Sequence, residues 1–203
     1  MIPTWLRQQR RPDRRKGIGR RSVRVAVLAV VGLAACSRRA APPHLGQVPE
    51  FVLTDQRNQE FRSATLAGKV WVADFIYTTC QGPCPRMSAQ MRQVQELTRD
   101  LPDLRLLSFT VDPEHDTPEA LAAYGKRYHA DPERWIFLTG AGETLHELSR
   151  DAFKLGDVSG KLEHSTRFVL VDRKFHIRGY YRTWESDAIP NLVADIRSVY
   201  KEP

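Results

Sequence analysis

Residues 70–77 read VWVADFIY, apolar on both faces except at Asp74, and the chain turns at once through Thr78-Thr79-Cys80-Gln81-Gly82-Pro83-Cys84-Pro85. A strand without polar alternation belongs in the middle of a sheet that is covered on both sides. Pro85 suits a first helical position, where its missing N–H is not needed. Met87, Met91, Val94 and Leu97 come next at helical spacing. The chain must therefore place a buried strand, a two-cysteine turn and a helix in succession. Two thiols in one turn can exchange electrons, hold a metal, or do both.

The remaining elements are read in the same way. Residues 51–55 and 60–62 predict an N-terminal hairpin about a turn at 55–58. Further strands are predicted at 104–111 and 135–138. Between them, Asp116-Thr117-Pro118-Glu119 starts a helix to about Tyr128, with a hydroxyl cap and a proline just inside. Gly140-Ala141-Gly142 opens a helix over 143–152, and 153–163 is a loop or small hairpin. Two strands, 167–172 and 175–181, precede a last helix bearing Ile189, Leu192, Val193, Ile196, Val199 and Tyr200 on one face. This order predicts an α/β, thioredoxin-like fold: a central mixed sheet flanked by helices, with an N-terminal hairpin. Asp74, six residues before Cys80, stands where thioredoxins carry a buried aspartate. It is either a proton relay for the dithiol or a satisfied structural group.

The formal charge of +7 is unevenly placed, because residues 1–35 hold nine Lys/Arg against Asp13 alone. The rest of the chain is close to neutral, so the folded part carries no basic stripe and no nucleic-acid partner is expected. A basic region ending at Arg24, an eleven-residue apolar run and Leu33-Ala34-Ala35-Cys36 describe a secretory signal over 1–35. The apolar run is shorter than the ~20 residues that span a bilayer. The ending resembles a lipoprotein signal, which implies lipid on Cys36 and a membrane-anchored place in the bacterial periplasm or at the cell exterior. Residues 36–47 read as a flexible tether and 48–203 as the thioredoxin-like domain. With Cys36 lipidated, Cys80 and Cys84 remain as a pair in an oxidising compartment.

A cysteine at a helix N-terminus gains thiolate character from unpaired N–H groups and the helix dipole. Helical spacing would bring the second sulfur to the same face. Convergent thiolates suit a soft ion, and Cu(I) is the first candidate outside the cytoplasm. A third ligand could come from His44, His115, His129, His146, His164 or His176. His164 is favoured, because in a thioredoxin-like sheet the loop entering strand 167–172 faces the dithiol turn. Zinc held by Cys2His is a chemical alternative. Met87, Met91, Trp71 and Trp135 read as core, and His44 and His129 as solvated. His115 with Asp112 and Asp116 is either a metal or partner cluster or a turn with a helix cap. A peroxidase reading fails, since Tyr77 stands where such enzymes need threonine.

These residues resemble the Sco/SenC family of copper-binding, thioredoxin-like proteins. The likeness lies in Phe75-Ile76-Tyr77-Thr78, in Cys80-x-x-x-Cys84-Pro85, in residues 111–118 and in His164-Ser165 before the strand at 168–172. It covers the chain from about residue 48. The resemblance implies copper held by Cys80, Cys84 and His164. It also implies a metallochaperone role in assembling the binuclear copper centre of cytochrome c oxidase, with that enzyme's copper-bearing subunit as partner. An alternative is a thiol–disulfide oxidoreductase that uses Cys80 and Cys84 to reduce the cysteines of that copper site or of other targets. Gln81 replaces the proline common after the first cysteine, and Gly82-Pro83 is similar to thioredoxin's own turn, which keeps the redox alternative open.

Overall fold

An eight-stranded sheet forms the middle of the domain in the computed structural model, which describes residues 41–155 and 165–203. In chain order the strands are β1 (Gly46–Gln47), β2 (Val52–Asp55), β3 (Glu60–Arg62), β4 (Val70–Ile76), β5 (Leu104–Thr110), β6 (Trp135–Thr139), β7 (Arg167–Val171) and β8 (His176–Arg182). The helices are α1 (Cys84–Leu97), α2 (Pro118–Arg127), α3 (Gly142–Glu147) and α4 (Ala188–Tyr200). The spatial order is β1-β8-β7-β4-β5-β6-β2-β3. β4, β5 and β6 run parallel, and the other pairings are antiparallel. The expected mixed sheet and N-terminal hairpin are therefore present, and the hairpin extends the sheet beyond β6.

β4 is buried at all seven positions because it lies between β7 and β5 with side chains packed on both faces. Val70, Val72 and Ile76 face a core built by α1, α2 and α4, which contains Met87, Met91, Leu121, Leu192 and Trp135. Trp71, Ala73 and Phe75 face a second core with Phe109, Leu145 and Phe153. The expected core roles of Met87, Met91, Trp71 and Trp135 hold, with each fully buried.

Most strand ends shift by a residue, α3 gives way to a π-helical turn over Leu148–Ala152, and two further boundaries differ from the sequence reading in ways that bear on the site and the domain. The helix behind the cysteines starts at Cys84, so Pro85 takes its second position and Pro83 its cap. The segment expected to be tether, 36–47, is bound to the domain from Pro42 onward. Leu45 N donates to Ile177 O at 2.8 Å and Val48 N to Phe175 O at 2.9 Å, on either side of β1. Arg178, buried within the fold, donates to Pro42 O through Nη2 at 2.6 Å and Nε at 3.1 Å. Backbone pairing and one guanidinium hold this segment, and neither leaves an apolar period to read. The expected loop at 153–163 is described only as far as residue 155.

Candidate functional site

The cysteine turn leaves the C-terminal end of β4 and is held from the side by one acid. Asp116, fully buried, accepts from Thr78 N at 3.1 and 3.2 Å, from Thr78 Oγ1 at 2.5 Å and from Thr110 Oγ1 at 2.5 Å. Thr110 ends β5, so this carboxylate links two strand ends to the start of the turn. Burying a carboxyl is tolerable only with such a donor set. Cys80 N donates to Tyr77 O at 3.3 Å and tightens the turn. Residues 80–83 are not helical, so the sulfurs meet around a turn and not along one helix face as expected.

Cys80 and Cys84 are not joined as a disulfide. Cys84 is fully buried and Cys80 is 8% exposed, so the pair opens to solvent through Cys80. Their environments push the two thiols apart. Burial raises Cys80, but hydrogen bonds from the Cys84 thiol, the Cys84 and Gly82 backbone N–H groups and the Tyr77 hydroxyl outweigh it and hold its pKa below the ordinary value. Burial pushes the Cys84 thiol well up, against a hydrogen bond from the Tyr77 backbone, and the charges of Cys80 and Asp74 add to the rise. The Tyr77 hydroxyl is pushed up to about 12, first by its bond to Cys80. A low thiol at the surface beside a high one beneath it is the arrangement of an attacking and a resolving cysteine.

Asp74 lies under the pair on β4. It accepts from Ser108 Oγ at 2.6 Å, and Ser108 in turn accepts from Trp135 Nε1 at 2.9 Å. Its second oxygen has no partner among the described residues. Complete burial raises its pKa to about 7, against the Ser108 bond. A carboxyl with a pKa near neutrality that interacts with Cys84 is able to exchange a proton with it, as the relay alternative for Asp74 requires.

The structure thus brings Cys80 and Cys84 together, as expected. His164 and Cys36 lie outside the described residues. The strand beyond His164 is well defined: β7 is antiparallel to β4, so Arg167 begins at the dithiol end of the sheet. Thr183 N and Oγ1 donate to Thr166 O at 3.0 and 2.9 Å, and Gln90 of α1 donates to Thr183 O at 3.0 Å. His115 is exposed and its Nδ1 lies 2.9 Å from Asp112 Oδ1, a bond that raises its pKa. The Asp112 charge reaches Tyr77, so this pair stands at the rim of the site.

The roles of two residues of the site escape a reading by sequence. Tyr77 is part of the Phe75-Ile76-Tyr77-Thr78 motif, but nothing there signals its hydroxyl bond to Cys80, since a tyrosine at the end of an apolar strand reads as packing. Asp116 sits next to Thr117, whose hydroxyl accepts from Ala120 N at 3.3 Å and supplies the helix cap. With the cap already provided, the neighbouring acid was the signal of a further bond partner.

The SCO1/SenC family matches residues 40–201 of the chain. The chain belongs to that family. A SCO1 protein homolog of Bacillus subtilis is 30% identical over 180 residues, covering 85% of this chain and 93% of the relative. A SCO1/SenC family lipoprotein of Bacillus anthracis has the same fold with a TM-score of 0.73 at 31% identity, over 80% of this chain and all of that one. BsSco, a member of the Sco family of cytochrome c oxidase assembly proteins in which a disulfide switch has been identified, superposes with a TM-score of 0.70 at 29% identity, over 81% and 98% of the two chains. Copper-bound ScoI of Bradyrhizobium japonicum shares the fold alone, with a TM-score of 0.62 at 22% identity over 76% and 99%. The Sco family thus contains copper-bound members and is linked to cytochrome c oxidase assembly.

Proposed function

We propose that the chain binds copper through Cys80, Cys84 and His164 and hands it to the binuclear copper centre of cytochrome c oxidase during assembly. It does so outside the bacterial cytoplasm, in the periplasm or at the cell exterior, held to a membrane by lipid on Cys36. The observation that carries this reading is the pair of thiols in the turn that leads into α1, not joined as a disulfide and hydrogen-bonded to each other. Two thiol sulfurs are a soft donor set, which suits Cu(I) better than a hard ion. The Sco relatives, one copper-bound, one a lipoprotein and one an oxidase assembly protein, support the cargo, the anchor and the destination. Copper must displace the proton that burial holds on Cys84, so uptake releases protons and strengthens as pH rises.

The unequal thiols favour a second reading, thiol–disulfide exchange. The Cys80 thiolate attacks one sulfur of a target disulfide and the other sulfur leaves as a thiolate. Cys84, losing its proton, then displaces the target's first sulfur, so the target gains two electrons and the pair closes as a disulfide. Asp74, with a pKa of about 7, lies beneath Cys84 and is suited to take that proton.

One variant separates the two activities. His164→Ala spares both thiols, whereas Cys80→Ser or Cys84→Ser removes them. We expect about one copper per wild-type chain, binding lost in either serine variant, and affinity at least roughly 10-fold weaker in His164→Ala. Full affinity and an unchanged copper spectrum in His164→Ala would exclude the three-ligand site. Reduction of a disulfide-bonded target fragment by copper-free His164→Ala would establish exchange as an activity of its own.

A further inference from the structure

A second group of metal-seeking side chains lies at the other end of the sheet. Asp172 comes directly after β7, His176 opens β8, and His44 stands just before β1. Trp71, near the start of β4, pairs with Val171. The cluster is therefore roughly 20 Å from the cysteine turn, at ~3.3 Å per strand residue. One ligand atom from each of the three residues lies within 4.8 Å of the others. The two imidazole rings are 4.5 Å apart and tilted by 45°. His44 and Asp172 border a pocket of about 210 Å³ with Arg173, Lys174 and Glu202 on its walls.

The hydrogen bonds assign roles within the cluster. Asp172 Oδ1 accepts from Lys174 N and His176 N, both at 2.9 Å. Asp172 Oδ2 accepts from Arg178 Nη1 at 3.1 Å and lies 3.3 Å from His176 Nδ1. The carboxylate thus holds the Nδ1–H of His176 and leaves Nε2 with a free lone pair. This is the carboxylate–histidine pairing that orients metal-bound imidazoles. His44 is exposed and makes no hydrogen bond among the described residues. Two nitrogens on one ion at ~2.1 Å stand about 3–4 Å apart, so a small shift of this exposed ring closes the set. Hard cations are disfavoured here, because Arg178 and the backbone already use the oxygens of Asp172. Glu202 faces Arg178 at 2.8 Å and offsets its charge. Arg173 lies over the Tyr200 ring and donates to Val199 O and Glu202 O, and Lys174 is a further cation on the wall.

We infer that His44 and His176, positioned by Asp172, form a second metal site for a divalent ion that prefers imidazole, with Cu(II) ahead of Zn(II). Water fills the remaining positions. The bound ion joins the segment before β1 to the turn between β7 and β8. It is separate from the dithiol, so the two sites take different valences of one element. This second site does not depend on copper delivery being the function of the first.

The test uses the full chain carrying Cys80→Ser and Cys84→Ser, titrated with Cu(II) against a glycine competitor. We expect one tight equivalent whose electron paramagnetic resonance shows two imidazole nitrogens, and a melting temperature that rises with added ion. His44→Ala should weaken binding at least 10-fold and remove one nitrogen from the spectrum, and His176→Ala should do the same. His44 is exposed, so its variant folds and decides the matter even if His176→Ala disturbs β8. Affinity within twofold of the parent in His44→Ala, or an unchanged nitrogen pattern, would overturn the site.

Discussion

At the residue scale, Asp74 couples the chemistry of the turn to the stability of the domain. Its pKa in the fold, about 7, stands above the ordinary value of 3.8. The folded chain therefore keeps a proton that the unfolded chain releases. Stability then falls as pH rises from about 4 to 7 and levels off above that. Asp74→Asn removes this dependence. At pH 8 the variant should be the more stable by roughly 4 kcal/mol, from about three pH units at ~1.4 kcal/mol each. At pH 4 the two should agree within about 1 kcal/mol. Urea midpoints at pH 4, 6 and 8 check this, and parallel curves would show that the carboxyl is ionised or neutral throughout. The same substitution should slow thiol exchange if Asp74 takes the Cys84 proton. Asp74 could be singled out in the sequence as the one acid in an apolar strand. Its bare oxygen could not, because that depends on what β5 and β6 place opposite it.

At the element scale, the cysteine turn is fixed to its neighbours by Asp116 more than by its own sequence. Removing this carboxyl in Asp116→Ala leaves Thr78 N and the Thr78 and Thr110 hydroxyls without their acceptor. The expected cost is about 3 kcal/mol in a urea melt, the scale for losing charge-assisted bonds in a buried site. Copper affinity should fall with it, because the two thiols lose their fixed approach. Asp116→Asn keeps an acceptor and should recover part of both, whereas a residue that serves folding alone would leave copper affinity untouched. The strand–turn–helix order was legible because apolar runs, prolines and caps are local signals. The role of Asp116 was hidden because it bridges 38 residues back to Thr78. The first residue of α1 is not fixed by the sequence, since Pro85 fits its first or second position equally well and takes the second.

At the scale of the whole molecule, Arg178 gathers the two ends of the described domain. It donates to Pro42 O and pairs with Glu202 at 2.8 Å and Asp172 at 3.1 Å. A chain that starts at residue 48 loses the Pro42 acceptor and the backbone pairing of β1. We expect it to be about 2–3 kcal/mol less stable than one that starts at residue 41, judged by urea midpoints. Equal midpoints would mean that residues 41–47 are a tether after all. The α/β class, the mixed sheet and the hairpin were all readable from periodicity. The attachment of 42–47 was not, because Gly46-Gln47 has no apolar face and its pairing uses backbone groups alone. That same short strand has a bearing on how copies behave when crowded together. The sheet ends on one side in two residues bracketed by Pro43 and Pro49, and on the other in three residues where Arg62 pairs with Glu60 at 2.7 Å. Brief edges with proline and charge offer a neighbouring sheet few groups to zip onto. Copies of the domain can therefore be held at high concentration without joining edge to edge.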